Sequence, residues 1–183
     1  RSILAERMGV WCYDRDILTI AAERIGNEEL TEDTINDLNY KRNDVASAGI
    51  TGVMGMGNIP IYNQMFLEQA KIIRKLANYG SAVFLGRCAD YILKDIKNCT
   101  SVYLYADREF RKNRVKEIYG SNAEIMDKEE KNRADYYNYY TGNRWGDINN
   151  YDFAINTSKV SFEEAADLIY RFAKDKQKNL KDR

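Results

Sequence analysis

Two continuous apolar runs, AVFL at residues 82–85 and TSVYLYA at residues 100–106, constrain this chain more than any other feature. Neither alternates between apolar and polar, and they stop at Gly86 and Asp107. Such runs read as strands covered on both faces, which belong to parallel sheets with helices packed above and below. The segments around them are helical. Residues 2–8 read as a helix fragment ended by Gly9, followed by a short strand at residues 10–13. Asp14 reads as the cap of a helix running to about Arg24, with Ile17, Leu18, Ile20 and Ala21 on one face and Gly26 closing it. A short helix is expected at residues 31–39. Pro60, the only proline, suits the first turn of a long helix over residues 61–79, where Met65, Phe66, Ile72, Ile73 and Leu76 make one stripe. Asp107 reads as the cap of a basic helix, REFRKNRVKEIY. Ser121-x-x-Glu124 and Ser161-x-x-Glu164 read as capping boxes. Residues 151–156 form a last strand and residues 160–173 a closing helix. Helix and strand alternate throughout, which predicts a three-layer α/β/α domain with a mainly parallel sheet.

With 183 residues, the chain suits a single domain, 1–183. Lys plus Arg and Asp plus Glu are balanced at 28 each, which argues against a dedicated binder of long nucleic acid. No apolar stretch is long enough for a transmembrane helix, and no signal peptide is visible. Cys12, Cys88 and Cys99 are too scattered for a disulfide framework or a CxxC metal site, so a reducing, cytoplasmic setting is expected. The chain contains no histidine. A Ser-His triad, imidazole metal ligation and histidine acid–base chemistry are therefore excluded. Carboxylates, cations and positioning remain, which is the equipment of phosphoryl transfer. Residues 46–58, ASAGITGVMGMGN, hold four of the eleven glycines and read as a loop.

Residues 131–147, KNRADYYNYYTGNRWGD, concentrate Lys131, Arg133 and Arg144 with Tyr136, Tyr137, Tyr139, Tyr140 and Trp145. Flat rings stack on bases while guanidinium forks take phosphate oxygens in pairs. The plainer alternative is a tyrosine-rich helix packed on its neighbours. In open parallel sheets, ligands bind at the carboxyl ends of strands. Here those ends carry Tyr13-Asp14-Arg15, then Gly86-Arg87-Cys88-Ala89-Asp90, then Asp107-Arg108 with Arg111 and Arg114 beyond. Arg87 and Asp90 read either as a ligand-facing pair or as a local salt bridge, and Asp14 either as a ligand contact or as a helix cap.

YYNYYTGNRWGD, NYDFAINTS, FLGRCADYIL and the opening YDRDIL resemble the bacterial cytidylate kinase-like proteins of the P-loop nucleoside monophosphate kinase group. The resemblance runs from residue 1 to about residue 169. It implies a P-loop kinase-like fold with a helical lid at about residues 120–147, and ATP and Mg2+ as cofactors. The family opens with a strand and a glycine-rich loop ending in Arg-[Glu/Ser]-Ile. Arg1-Ser2-Ile3 matches that ending, and the strand and glycines are expected upstream. Arg1 then stands where the phosphate-loop cation does, and Ser2 where the Mg2+ hydroxyl does. The resemblance further implies acceptor binding by Asp14, Arg87 and Asp90, with Arg111 or Arg114 opening the lid. Lys131 and Arg133 become lid cations over the transferring phosphoryl, and Asn156 and Thr157 lie beside the adenine pocket. Cytidylate kinases lack the tyrosine block, so Tyr137 and Tyr140 are candidate substrate contacts that distinguish this chain. The implied activity is phosphoryl transfer from ATP to a small acceptor, a nucleoside monophosphate such as CMP. The rivals are a different small-molecule acceptor, or a non-catalytic nucleotide-binding or interaction domain.

Overall fold

In the computed structural model, residues 2–26, 60–120 and 122–182 are described. Arg1, the expected helix at 31–39, the glycine-rich loop at 46–58 and Ser121 lie outside them. The order is α1 (Ile3–Met8), β1 (Trp11–Tyr13), α2 (Asp16–Ile25), α3 (Ile61–Tyr79), β2 (Ala82–Phe84), α4 (Ala89–Ile92) and β3 (Val102–Tyr105). Then follow α5 (Arg108–Tyr119), α6 (Ala123–Thr141), a 3-10 turn (Ile148–Asn150), β4 (Phe153–Asn156) and α7 (Phe162–Lys181). This is the helix-rich α/β architecture that the alternation predicts.

The strands pair in parallel, β1 with β2 from Trp11↔Ala82 to Tyr13↔Phe84, and β3 with β4 from Val102↔Phe153 to Tyr105↔Asn156. These are two separate ladders among the described residues, so each strand has one hydrogen-bonded neighbour. The expectation of strands covered on both faces therefore fails in part. No residue of β2 is fully buried, Leu104 and Tyr105 are about half exposed, and only Ile155 among the strand residues is enclosed. A strand in the middle of a sheet is flanked on both sides, and a strand with one open edge is not.

The core lies among the helices instead. Ile17, Leu18 and Ala21 of α2 meet Ile61, Met65, Ile72 and Ile73 of α3, and the turn after β2 adds Cys88, Ile92 and Leu93. Tyr136 and Tyr137 of α6 complete the cluster. α7 packs along α1, where Arg7 pairs with Asp167.

Several helix ends differ from the sequence expectation. α2 begins at Asp16 behind Arg15, so Asp14 does not cap it. Asp107 occupies the N-cap position of α5 without capping by its side chain, because that carboxylate is engaged elsewhere. α6 is capped by Asn122, whose Oδ1 accepts from Ile125 N at 3.0 Å. Pro60 is the N-cap of α3, one residue ahead of the first turn. The Ser161 box forms as read, and α7 continues to Lys181, well past residue 173.

Candidate functional site

The turn leaving β2 is the most unusual backbone in the structure. Gly86, Arg87 and Cys88 are consecutive and left-handed, at φ of 66, 58 and 56°. Arg87 and Cys88 are the only non-glycine residues of positive φ among those described. Each such position costs on the order of 1–3 kcal/mol and persists only where surrounding structure enforces it. The turn is closed by Ala89 N donating to Gly86 O at 3.1 Å. It drives the Arg87 side chain inward, leaving the residue 3% exposed. An arginine cannot shed its charge, so its enclosure demands polar company. The Cys88 thiol and the Tyr136 hydroxyl both lie in the field of Arg87.

Asp90, on the first turn of α4, is half buried, and loss of solvent holds its carboxyl above the ordinary range. Its Oδ2 accepts a 2.6 Å hydrogen bond from Tyr137 Oη, which works against that rise. Tyr137 also bonds Tyr151, whose hydroxyl burial pushes up to about 12. Burial together with Asp90 pushes the Cys88 thiol up to about 12, so it is a packed, unreactive thiol. Beside Asp90 lies a cavity of about 260 Å³ lined by Lys94, Lys97, Tyr151, Asp152 and Lys176 among others.

α6 has two differently held halves. Its carboxyl-terminal half is packed into the domain. Tyr136 and Tyr137 are 4% and 5% exposed, Tyr140 stacks on Phe66 at 4.3 Å and 9°, and Tyr140 Oη donates to Asn63 Oδ1 at 3.0 Å. Its amino-terminal half is joined to α5 by ion pairs. Arg111 Nη1 reaches both oxygens of Glu130 at 2.6 Å, and Arg108 pairs with Asp127 at 2.6 Å. The plainer reading of the tyrosine block, a helix packed on its neighbours, accounts for Tyr136, Tyr137 and Tyr140. The composition was equally consistent with both readings because a tyrosine ring serves a core and a stacking surface alike.

The remaining candidates are distributed as follows. Ser2 caps α1, its Oγ accepting from Ala5 N at 3.3 Å. Asp14 is exposed just past β1, one position beyond the Tyr13↔Phe84 ladder pair that precedes the Arg87 turn. Arg114 lies over the Phe162 ring at 4.3 Å, toward α7. Lys131 is paired with Asp135 one turn along its own helix at 2.6 Å, and Arg133 is exposed on the same half of α6. Asn156 Nδ2 donates to Asp107 Oδ1 at 3.0 Å, while its Oδ1 accepts from Ser158 N at 3.0 Å. Thr157 Oγ1 donates to Tyr105 O at 3.2 Å. The NTS motif thus ties the carboxyl ends of β3 and β4 together, and Lys159 and Asn156 hold the Asp107 carboxyl below its usual range.

The structure therefore brings Asp90 and Tyr137 together on the turn that also carries Arg87, while Arg111 stays with Glu130, both in the field of the Tyr103 hydroxyl. It does not bring Lys131 or Arg114 there. Sequence reasoning missed Tyr151, Asn63 and the buried Gln69, whose Nε2 donates to Met65 O at 3.1 Å. Asn63 and Gln69 could have been noticed as polar residues flanking Phe66 on the apolar stripe of α3.

Parallel strands, a polar turn where β2 ends and a helical hairpin beside it make a helix-rich α/β protein, consistent with a kinase-like α/β fold. A model of the cytidylate kinase-like family matches residues 2–159, and the chain belongs to that family. A solved structure described as an uncharacterized protein from Eubacterium ventriosum is similar, with a TM-score of 0.68 and 28% identity. That likeness covers 94% of this chain and 88% of the other. No curated protein sequence matches.

Proposed function

We propose that the protein transfers the γ-phosphoryl of ATP to a small acceptor, best a nucleoside monophosphate such as CMP. The observation that carries this is the enclosed Arg87 in its strained turn, beside Asp90 and at the carboxyl end of a parallel strand, in a chain of the cytidylate kinase-like family. A fixed cation of that kind suits an acceptor phosphate or a base carbonyl, and Asp90 suits an amino group or a hydroxyl. Asp14 adds a second carboxylate at the neighbouring strand end.

An acceptor that is already an ionised phosphate needs no general base, in keeping with a chain free of histidine. In-line transfer then depends on holding the attacking oxygen close to phosphorus and on cations over the equatorial oxygens. Arg111 and Arg133 would supply that charge when the α5–α6 hairpin moves. Arg111 would exchange Glu130 for phosphate, and Lys131 would have to leave Asp135. Asn156 and Thr157 hold the strand ends on which an adenine would rest. Arg1 would take the donor phosphates. The family resemblance sets a strand and a glycine loop ahead of Arg1.

Magnesium carried by a nucleotide takes only one or two protein oxygens and fills its shell with phosphate oxygens and water. Ser2 Oγ fits that demand, and among the described residues no cluster forms an all-protein metal cage. The ion, when bound, neutralises charge on the donor phosphates.

The test is ADP release by the full-length protein from ATP and a panel of nucleoside monophosphates, nucleosides and small alcohols. Arg87→Ala is expected to raise the acceptor KM most, and Arg133→Ala to lower kcat more than it raises KM. A protein that phosphorylates nothing and gains no thermal stability from ATP is not a kinase. Unchanged kinetics in Arg133→Ala would remove its lid role.

A further inference from the structure

The bond from Tyr137 to Asp90 joins two parts of the domain that no backbone ladder connects among the described residues. Asp90 follows β2, in the β1–β2 half. Tyr137 bonds Tyr151 ahead of β4, whose ring lies 5.0 Å from that of Tyr103 on β3, and Tyr103 meets Trp145 edge-on at 5.8 Å. The chain of side chains thus runs from the acceptor-side carboxylate into the β3–β4 half. The same helix carries Asp127 and Glu130, which grip Arg108 and Arg111 two to three turns earlier. Tyr137 itself is 5% exposed, so its ring is packed against protein and its polar tip is what reaches the site.

We propose that Tyr137 is a positioning residue for the acceptor site, holding the Asp90 carboxylate in one orientation and tying it to the helix that carries the lid cations. This rests on the kinase reading above, in which Asp90 meets the acceptor. Asp90 also accepts from backbone N–H groups at its own position and at Tyr91. Tyr137 Oη adds a side-chain donor, to Oδ2 at 2.6 Å. A hydrogen bond to a charged acceptor is among the stronger ones, so its loss is felt wherever the carboxylate's direction matters.

Tyr137→Phe deletes the donor and keeps the ring. In the full-length protein, the acceptor KM is expected to rise about 10-fold or more, with the KM for ATP unchanged. The Asp90 carboxyl, followed by carbon-13 NMR, is expected to titrate at higher pH in the variant, because a donor that favours its charged form is gone. Arg87 and Cys88 flank Asp90 on its own turn, and Tyr151 and Cys99 face it from the approaches to β4 and β3. Lys94, Lys97, Asp152 and Lys176 share its cavity. All are the same in the two proteins, so the displacement isolates Tyr137.

An Asp90 titration that stays at its original pH in Tyr137→Phe overturns the proposal. So does a further tenfold rise in acceptor KM when Tyr137→Phe is added to Asp90→Ala, since that marks a direct contact with the acceptor. No added effect in that double variant supports action through Asp90. If the unaltered protein turns over no acceptor, the kinase reading alone falls. The NMR displacement then still decides whether Tyr137 governs Asp90.

Discussion

Tyr136→Ala removes the most enclosed ring of the aromatic segment, and its cost follows from where that ring sits. Tyr136 is 4% exposed, 4.8 Å from the Tyr140 ring and 6.3 Å from Phe66, and its hydroxyl bonds Gln69. Truncating a buried aromatic to alanine costs about 3–5 kcal/mol, because transfer free energy is lost and the cavity only partly collapses. That is a large share of the roughly 5–15 kcal/mol that holds a domain folded. With a urea slope of about 2 kcal/mol per molar, the unfolding midpoint should fall by about 1.5–2.5 M. Tyr139, 44% exposed and edge-on to Tyr140 at 4.9 Å, is the control. Tyr139→Ala should cost less than about 1 kcal/mol. Equilibrium urea titration followed by far-ultraviolet circular dichroism measures both. Equal midpoints for the two variants would refute the argument, showing that the tyrosine face of α6 is a surface rather than part of the core.

Gly146→Ala is expected to destabilise by about 1–2 kcal/mol, read as a lowered Tm, since left-handed backbone disfavours a side chain. Gly146 has φ of 79°, and an added Cβ would lie 3.1 Å from the Tyr103 hydroxyl. Asp90→Asn should stabilise the protein at neutral pH while impairing acceptor use. The Asp90 carboxyl is raised from 3.8 by burial, so between that value and its folded value only the folded state keeps the proton. Stability from this group is complete below the unfolded value and is lost as pH rises through the folded one. The gain in Tm from Asp90→Asn should therefore be present near pH 7 and absent below about pH 3.8; an equal gain at both would show that charge burial is not its origin.

The sequence by itself determined the alternation of helix and strand, the Ser161 box and the stripe of α3. These are local matters, set by period, capping and composition, and they need no knowledge of what packs on what. The motifs GRCADYIL and NYYTGNRWGD carried the family as well. Only the tertiary structure decided where the residues in those motifs sit and what they pack against. A tyrosine suits a core or a ligand equally, and α6 resolves the choice by turning Tyr136 and Tyr137 onto α3 and α4. Charge partners were equally illegible. Arg111 with Glu130, Lys131 with Asp135 and Asn156 with Asp107 depend on which faces meet across space. The strand runs were legible as strands, but their half-exposed state goes with each strand having one ladder neighbour among the described residues, a property of the assembled sheets that no run of residues records.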